Sequence, residues 1–129
     1  MTRPRRTALR PAGFTERFAN VNGVRLRYLV GGQGSPVVLL HGYAETSHMW
    51  RPIMPLLAER HTVVVPDLRG AGGSAKPASG YDKKNMALDI RELTARLGLD
   101  RFPEATERVV LMDAFLLRHR QLEERMALA

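Results

Sequence analysis

The sequence predicts an α/β fold: a mostly parallel sheet with flanking helices, opened by an antiparallel hairpin. Three observations predict it. Strand-like and helix-like segments alternate from Arg17 onward. Pro36–Leu40 is apolar throughout and His61–Val65 is dominated by β-branched residues. Such runs mark strands covered on both faces, the habit of parallel sheets. Finally, Asn22-Gly23 separates two further strand patterns, and both residues tolerate the positive φ of a tight hairpin turn.

Taken in order, Arg17–Val21 and Val24–Val30 form the expected hairpin, and Gly31, Gly32 and Gly34 then break the chain. Pro36–Leu40 follows as a buried strand that runs into His41-Gly42. A first helix is expected next, capped by Thr46 or Ser47, with Ile53, Leu56, Leu57 and Arg60 at helical spacing. Pro52 and Pro55 fit only within its first turn, where N–H groups lack internal partners. His61–Val65 is the next buried strand, and it leads into Pro66-Asp67-Leu68-Arg69-Gly70 and a glycine-rich loop to about Gly80. Asp82 is placed to cap a second, longer helix. Its Met86, Ile90, Leu93 and Leu97 share one face, and Gly98 stops it. Val109–Met112, within Arg108–Phe115, is a last strand run before a helical tail, 116–129. The expected organisation is thus a basic arm at 1–16, a core at 17–115 and that tail.

Composition narrows the chemistry. The chain has 129 residues, 44% of them hydrophobic and 26% charged, enough apolar content for one folded domain. It has no cysteine, which removes disulfides, thiolate nucleophiles and cysteine-based zinc sites. No apolar run is long enough to span a bilayer. The net charge is +7, and Arg3, Arg5, Arg6 and Arg10 crowd the first ten positions. That arm is read as a solvated terminus, not a nucleic-acid contact, because no aromatic-interleaved basic patch accompanies it. No apolar stretch follows it as a signal peptide requires, so a cytoplasmic location is expected.

Three blocks in sequence order carry a resemblance. They are Val37-Val38-Leu39-Leu40-His41-Gly42-Tyr43, Trp50-Arg51-Pro52, and Pro66-Asp67-Leu68-Arg69-Gly70-Ala71-Gly72-Gly73-Ser74-Ala75-Lys76-Pro77. Together they resemble the N-terminal half of the α/β-hydrolase fold, in its epoxide hydrolase and haloacetate dehalogenase branch. The resemblance covers 17–102 continuously and 103–116 as a separate piece. It implies that the residue after His-Gly, Tyr43, offers its backbone N–H to an oxyanion hole. A rigid strand end can aim such a donor where negative charge develops. His41 is assigned a packing and hydrogen-bonding role. Asp67, Arg69 and Ser74 are expected to build a structural turn. Lys76 is followed by Pro77 and no Walker spacing occurs, so this loop is not read as a phosphate cradle.

The family's nucleophile sits on a strand-to-helix elbow, Gly-x-Ser-x-Gly or, in this branch, Gly-x-Asp-x-Gly. No Ser or Asp of this sequence has those flanking glycines. By resemblance, Gly98-Leu99-Asp100-Arg101-Phe102 should lead into the fifth strand and the elbow. Instead Phe102 runs into Pro103–Asp113, which resembles the sixth strand and the turn before it. One βα unit, about 25 to 30 residues, is therefore expected to be missing, which leaves the third strand without a neighbour on that side. The resemblance places Asp113 where dehalogenases carry the acid that orients the catalytic His; the alternative is a helix N-cap. The family's catalytic His lies in a later region. His119, between Arg118 and Arg120, has no acid placed to orient it, and His48 and His61 read as loop or packing residues.

The functional expectation is an internally deleted and C-terminally truncated relative of enzymes that attack an epoxide or carbon–halogen centre through an Asp. It would have little catalysis of its own, and it calls for no cofactor and no metal. The alternative is a non-catalytic binding or scaffold protein that completes its sheet with another chain. An exposed apolar edge would favour self-association.

Overall fold

The computed structural model describes residues 12–42, 45–99 and the backbone of 109–112. Five strands form one mixed sheet: β1 (Phe14–Val21), β2 (Val24–Gly32), β3 (Ser35–Leu40), β4 (His61–Pro66) and β5 (Val109–Met112), in the order β1-β2-β4-β3-β5. The hairpin forms where the sequence places it. Asn22 and Gly23 adopt φ of 47° and 80°, both left-handed, and Val21 pairs with Val24 directly across the turn. The twist of such a turn matches that of its strands. β1 begins at Phe14, earlier than the alternation suggested, because the Phe14 side chain is buried in the core.

β2 pairs antiparallel with β4, and β4 pairs parallel with β3, from Ser35↔His61 to Val38↔Val64. Both inner strands are covered on both faces, as their apolar runs require. On one face Val38, Leu40, Val64 and Leu26 meet Ile90 and Leu93 of α2 (Lys83–Arg96). On the other, Val37, Leu39, Val63 and Val65 meet Met54, Trp50 and Ile53. Asp82 caps α2 as expected, accepting the Asn85 N–H at 3.1 Å, and Gly98 ends it with φ of 78°.

Two expectations are corrected. The first helix is not continuous: a 3-10 turn at Ser47–Trp50, capped by Thr46, precedes a five-residue helix, α1 (Met54–Ala58). Pro52 and Pro55 carry no N–H for a helical hydrogen bond, and Pro55 is accommodated in the first turn of α1, so the segment breaks in two. Leu56 consequently faces solvent, while Ile53 and Leu57 pack inward. Second, β3 does have a neighbour on its far side. β5 lies parallel to it, from Val37↔Val109 to Leu40↔Met112. The uncharged Val-Val-Leu-Met run of β5 is the outermost strand on that side, so the free edge moves outward from β3 to β5. Among the described residues no helix is long and apolar enough to cross a membrane.

Candidate active site

From β3 the chain moves to one side to build β4 and later to the other to build β5. In open sheets with parallel strands, ligand crevices form outside the carboxyl ends of strands at such a reversal of direction. Here that edge lies between the ends of β3 and β5, at Leu40-His41-Gly42 and Met112. The predicted oxyanion residue Tyr43 and the predicted acid Asp113 both belong to this part of the chain, and both lie outside the described residues.

What flanks them is firmly built. His41 is buried, its Nε2 accepts the Leu68 N–H at 2.9 Å, and its Nδ1 lies 2.9 Å from the Gly42 carbonyl. An Nε2 that accepts leaves the proton on Nδ1, which donates to Gly42. The ring thus ties the end of β3 to the turn after β4 and is a structural post, not a proton shuttle. Gly42 and Glu45 hold each other as well. The Gly42 N–H donates to Glu45 Oε1 at 3.1 Å, and the Glu45 N–H donates to the Gly42 carbonyl at 3.2 Å. The Gly42 N–H is therefore engaged within this turn.

Behind this edge sits Asp67, fully buried at the end of β4. Its Oδ1 accepts the Ser47 N–H at 2.8 Å, and its Oδ2 accepts the Gly73 N–H at 3.0 Å and Arg27 Nη1 at 3.1 Å. Burial pushes this carboxyl upward, but the N–H groups of Ser47 and Gly73, the Ser47 hydroxyl and Arg27 together hold it below the usual carboxylate range. Gly72 has φ of 50°, and a Cβ there would collide with the Asp67 carboxylate. Ser74 completes the turn: its hydroxyl donates to the Asp67 carbonyl at 2.6 Å and accepts the Arg27 N–H at 2.8 Å. Asp67 and Ser74 thus form the expected structural turn, and they fasten the segment that leaves the candidate site to the one after β4.

Arg69 does not join them. It turns toward α2 and grips Asp89 with two bonds, Nε to Oδ2 at 2.7 Å and Nη2 to Oδ1 at 2.8 Å. Asn22 Nδ2 donates to the same Asp89 at 2.8 Å, so the hairpin tip, the loop and α2 meet on one carboxylate. Sequence reasoning missed Asp89. The available signal was an acid next to Ile90, on the face whose periodicity was apolar. His61 lies at the start of β4, away from this edge, with Nδ1 3.1 Å from Ser35 Oγ. Among the described residues no group of three or more potential metal ligands occurs.

Residues 35–102, more than half of the chain, match the family described as alpha/beta hydrolase fold. This chain belongs to the α/β-hydrolase fold family. Its relatives place it in the epoxide hydrolase and dehalogenase branch. It is 49% identical over 87 residues to a soluble epoxide hydrolase of Corynebacterium sp. (strain C12), covering 67% of this chain and 30% of that protein. It is 46% identical over 95 residues to a fluoroacetate dehalogenase of Burkholderia sp., covering 70% of this chain and 31% of that protein. Among solved structures, epoxide hydrolase CorEH without ligand superposes with a TM-score of 0.65 at 49% identity, over 66% of this chain and 30% of that one. This α/β-hydrolase chain therefore spans about 30% of the length of these relatives.

Proposed function

We propose that this chain carries the oxyanion side of an active site of the epoxide hydrolase and haloacetate dehalogenase type, on a sheet from which the elbow unit is missing between residues 102 and 103. The observation that carries the proposal is the anchored His41-Gly42 end of β3, which stands at the reversal of strand direction while the sequence contains no Gly-x-Ser-x-Gly or Gly-x-Asp-x-Gly. Tyr43 is the proposed oxyanion donor, and Asp113 is the family-derived candidate for the acid that orients a catalytic His. The substrate class is a small molecule with a strained C–O or a carbon–halogen bond. The chain acts in the cytoplasm, binds no nucleic acid and needs no cofactor. An oxyanion donor alone cannot replace a nucleophile and a water-activating base, so little multiple-turnover catalysis is expected.

The test is a steady-state assay of the purified 129-residue chain on aryl epoxides and haloacetates. No sustained product formation above buffer supports the proposal. Enzyme-like turnover that Tyr43→Pro, which removes the N–H, abolishes would show that the chain is a complete catalyst and would sink it.

A further inference from the structure

The tip of the β1–β2 hairpin carries a chemistry that the candidate active site does not use. Asn22-Gly23 is the one Asn-Gly pair of the chain, the other asparagines standing as Asn20-Val21 and Asn85-Met86. In an Asn-Gly pair the backbone nitrogen of the glycine can attack the side-chain amide carbon of the asparagine, because no Cβ shields that nitrogen. Gly23 is exposed, and nothing stands within 4 Å of where its Cβ would be. Water therefore has open access to the peptide unit that would react.

The asparagine, by contrast, is held. Its Nδ2 donates to Asp89 Oδ1 at 2.8 Å and reaches the Asn85 carbonyl and Asn85 Oδ1 at 3.4 and 3.5 Å. Its backbone N–H donates to Glu92 Oε1 at 2.7 Å. The side-chain partners all accept, so the nitrogen of the amide and not its oxygen faces α2. Asp89 is fully buried, with both oxygens also taken by Arg69. This pocket suits a neutral donor and refuses an anion. A carboxylate at position 22 would face Asp89 and Glu92 with nothing to donate, and like charges disfavour one another at such a distance. Arg69, the cation of the cluster, is already committed to Asp89.

We infer that Asn22 is a deamidation site gated by its latch to Asp89, and that the reaction locks the latch open. When the tip opens locally, the Gly23 nitrogen bonds to Asn22 Cγ and the Cγ–Nδ2 bond breaks. Ammonia leaves, taking the proton of the Gly23 N–H. Water then adds to either carbonyl of the cyclic imide and cleaves its C–N bond, which yields an aspartate or an isoaspartate. Water is the only reagent consumed. Neither product restores the bond to Asp89. The isoaspartate also adds a backbone methylene to the tight turn that sets the Val21↔Val24 register. Val21 and Val24 share a core with Ile90 and Leu93 of α2, so release of the tip loosens the packing of helix on sheet.

The experiment incubates the full chain in mildly alkaline buffer below its melting temperature and, in parallel, in concentrated urea. Peptide mapping reads the share of Asn22 converted, with Asn20 and Asn85 as internal references. In the folded parent, conversion of Asn22 should run about tenfold or more slower than in urea, since a hydrogen bond to a charged acceptor has to break first. Arg69→Met combined with Asp89→Leu removes that acceptor and, with far-UV circular dichroism unchanged, should speed the reaction by about tenfold. Glu92→Ala, which frees only the Asn22 N–H, should speed it by a smaller factor, and it decides the matter if the double variant does not fold. The converted chain, separated on ion exchange by its added negative charge, should melt below the parent. Equal rates in the folded parent and in urea, or folded variants no faster than the parent, overturn the inference. So does a converted chain that melts with the parent.

Discussion

Two buried carboxylates, Asp67 and Asp89, fix the geometry behind the candidate site, and each does so through more bonds than its neighbours could replace. For Asp67 the sign of the pH dependence follows from its lowered pKa. Its charged form is favoured in the folded state, so the associated stability is present above the ordinary Asp value, about 4, and is lost as pH falls through the lower folded value. Asp67→Asn should cost about 2 to 3 kcal/mol near neutrality, since Arg27 loses a charged partner and two N–H groups lose a charged acceptor. The gap between variant and parent should narrow below about pH 4. Denaturant midpoints measured across pH check this, and a gap that is flat with pH would refute it. For Asp89, Arg69 is its buried partner, and removing one member of a buried pair leaves an uncompensated charge. Asp89→Ala is expected to cost about 3 to 5 kcal/mol, enough to unfold much of the chain at room temperature. Arg69→Met combined with Asp89→Leu should recover part of the loss in thermal melts.

Elements divide into those that local pattern specifies and those that tertiary context decides. The hairpin, β3, β4 and α2 were legible because each is written in adjacent residues: Asn22-Gly23 for the turn, two apolar runs for the inner strands, Asp82 and Gly98 for the helix ends. The broken first helix was harder to read, since Pro52 and Pro55 are each tolerable in a first turn but not together across one helix. The seat of β5 was not legible at all. A buried-strand pattern states that a segment needs two covered faces, not which neighbour covers its edge. For the same reason the position of the candidate site was readable from His41-Gly42, while the partner strand at that site was not. A cysteine pair tests the seat directly. The chain has no native cysteine, and Val38 and Val110 are register partners, so their Cα separation suits a disulfide. Val38→Cys with Val110→Cys is expected to oxidise within one chain, visible as a two-proton mass loss under non-reducing conditions. Persistence of free thiols under mild oxidant would place β5 elsewhere.

At the scale of the whole molecule, the sheet has two outer strands of different character. β1 carries Glu16, Arg17 and Asn20 along its length, and charges on an edge strand discourage pairing with another chain. β5 is Val-Val-Leu-Met, with no charge and no proline, and nothing among the described strands pairs with its outer side. Composition of this kind suits an inner strand, so an unpaired outer side is a template for association. The expected outcome is a mass in solution that rises with protein concentration. Adding salt should not reverse it, because backbone pairing and apolar contact are not screened as charge contacts are. A lysine in place of Val110 should suppress the rise, whereas Arg17→Ala on β1 should leave it unchanged. Light scattering coupled to sizing at several concentrations and two salt levels separates the alternatives. A monomer throughout would show that β5's outer side is protected. An association that salt dissolves would move the contact to the chain's positive charge, and one that Arg17→Ala alters would move it to β1.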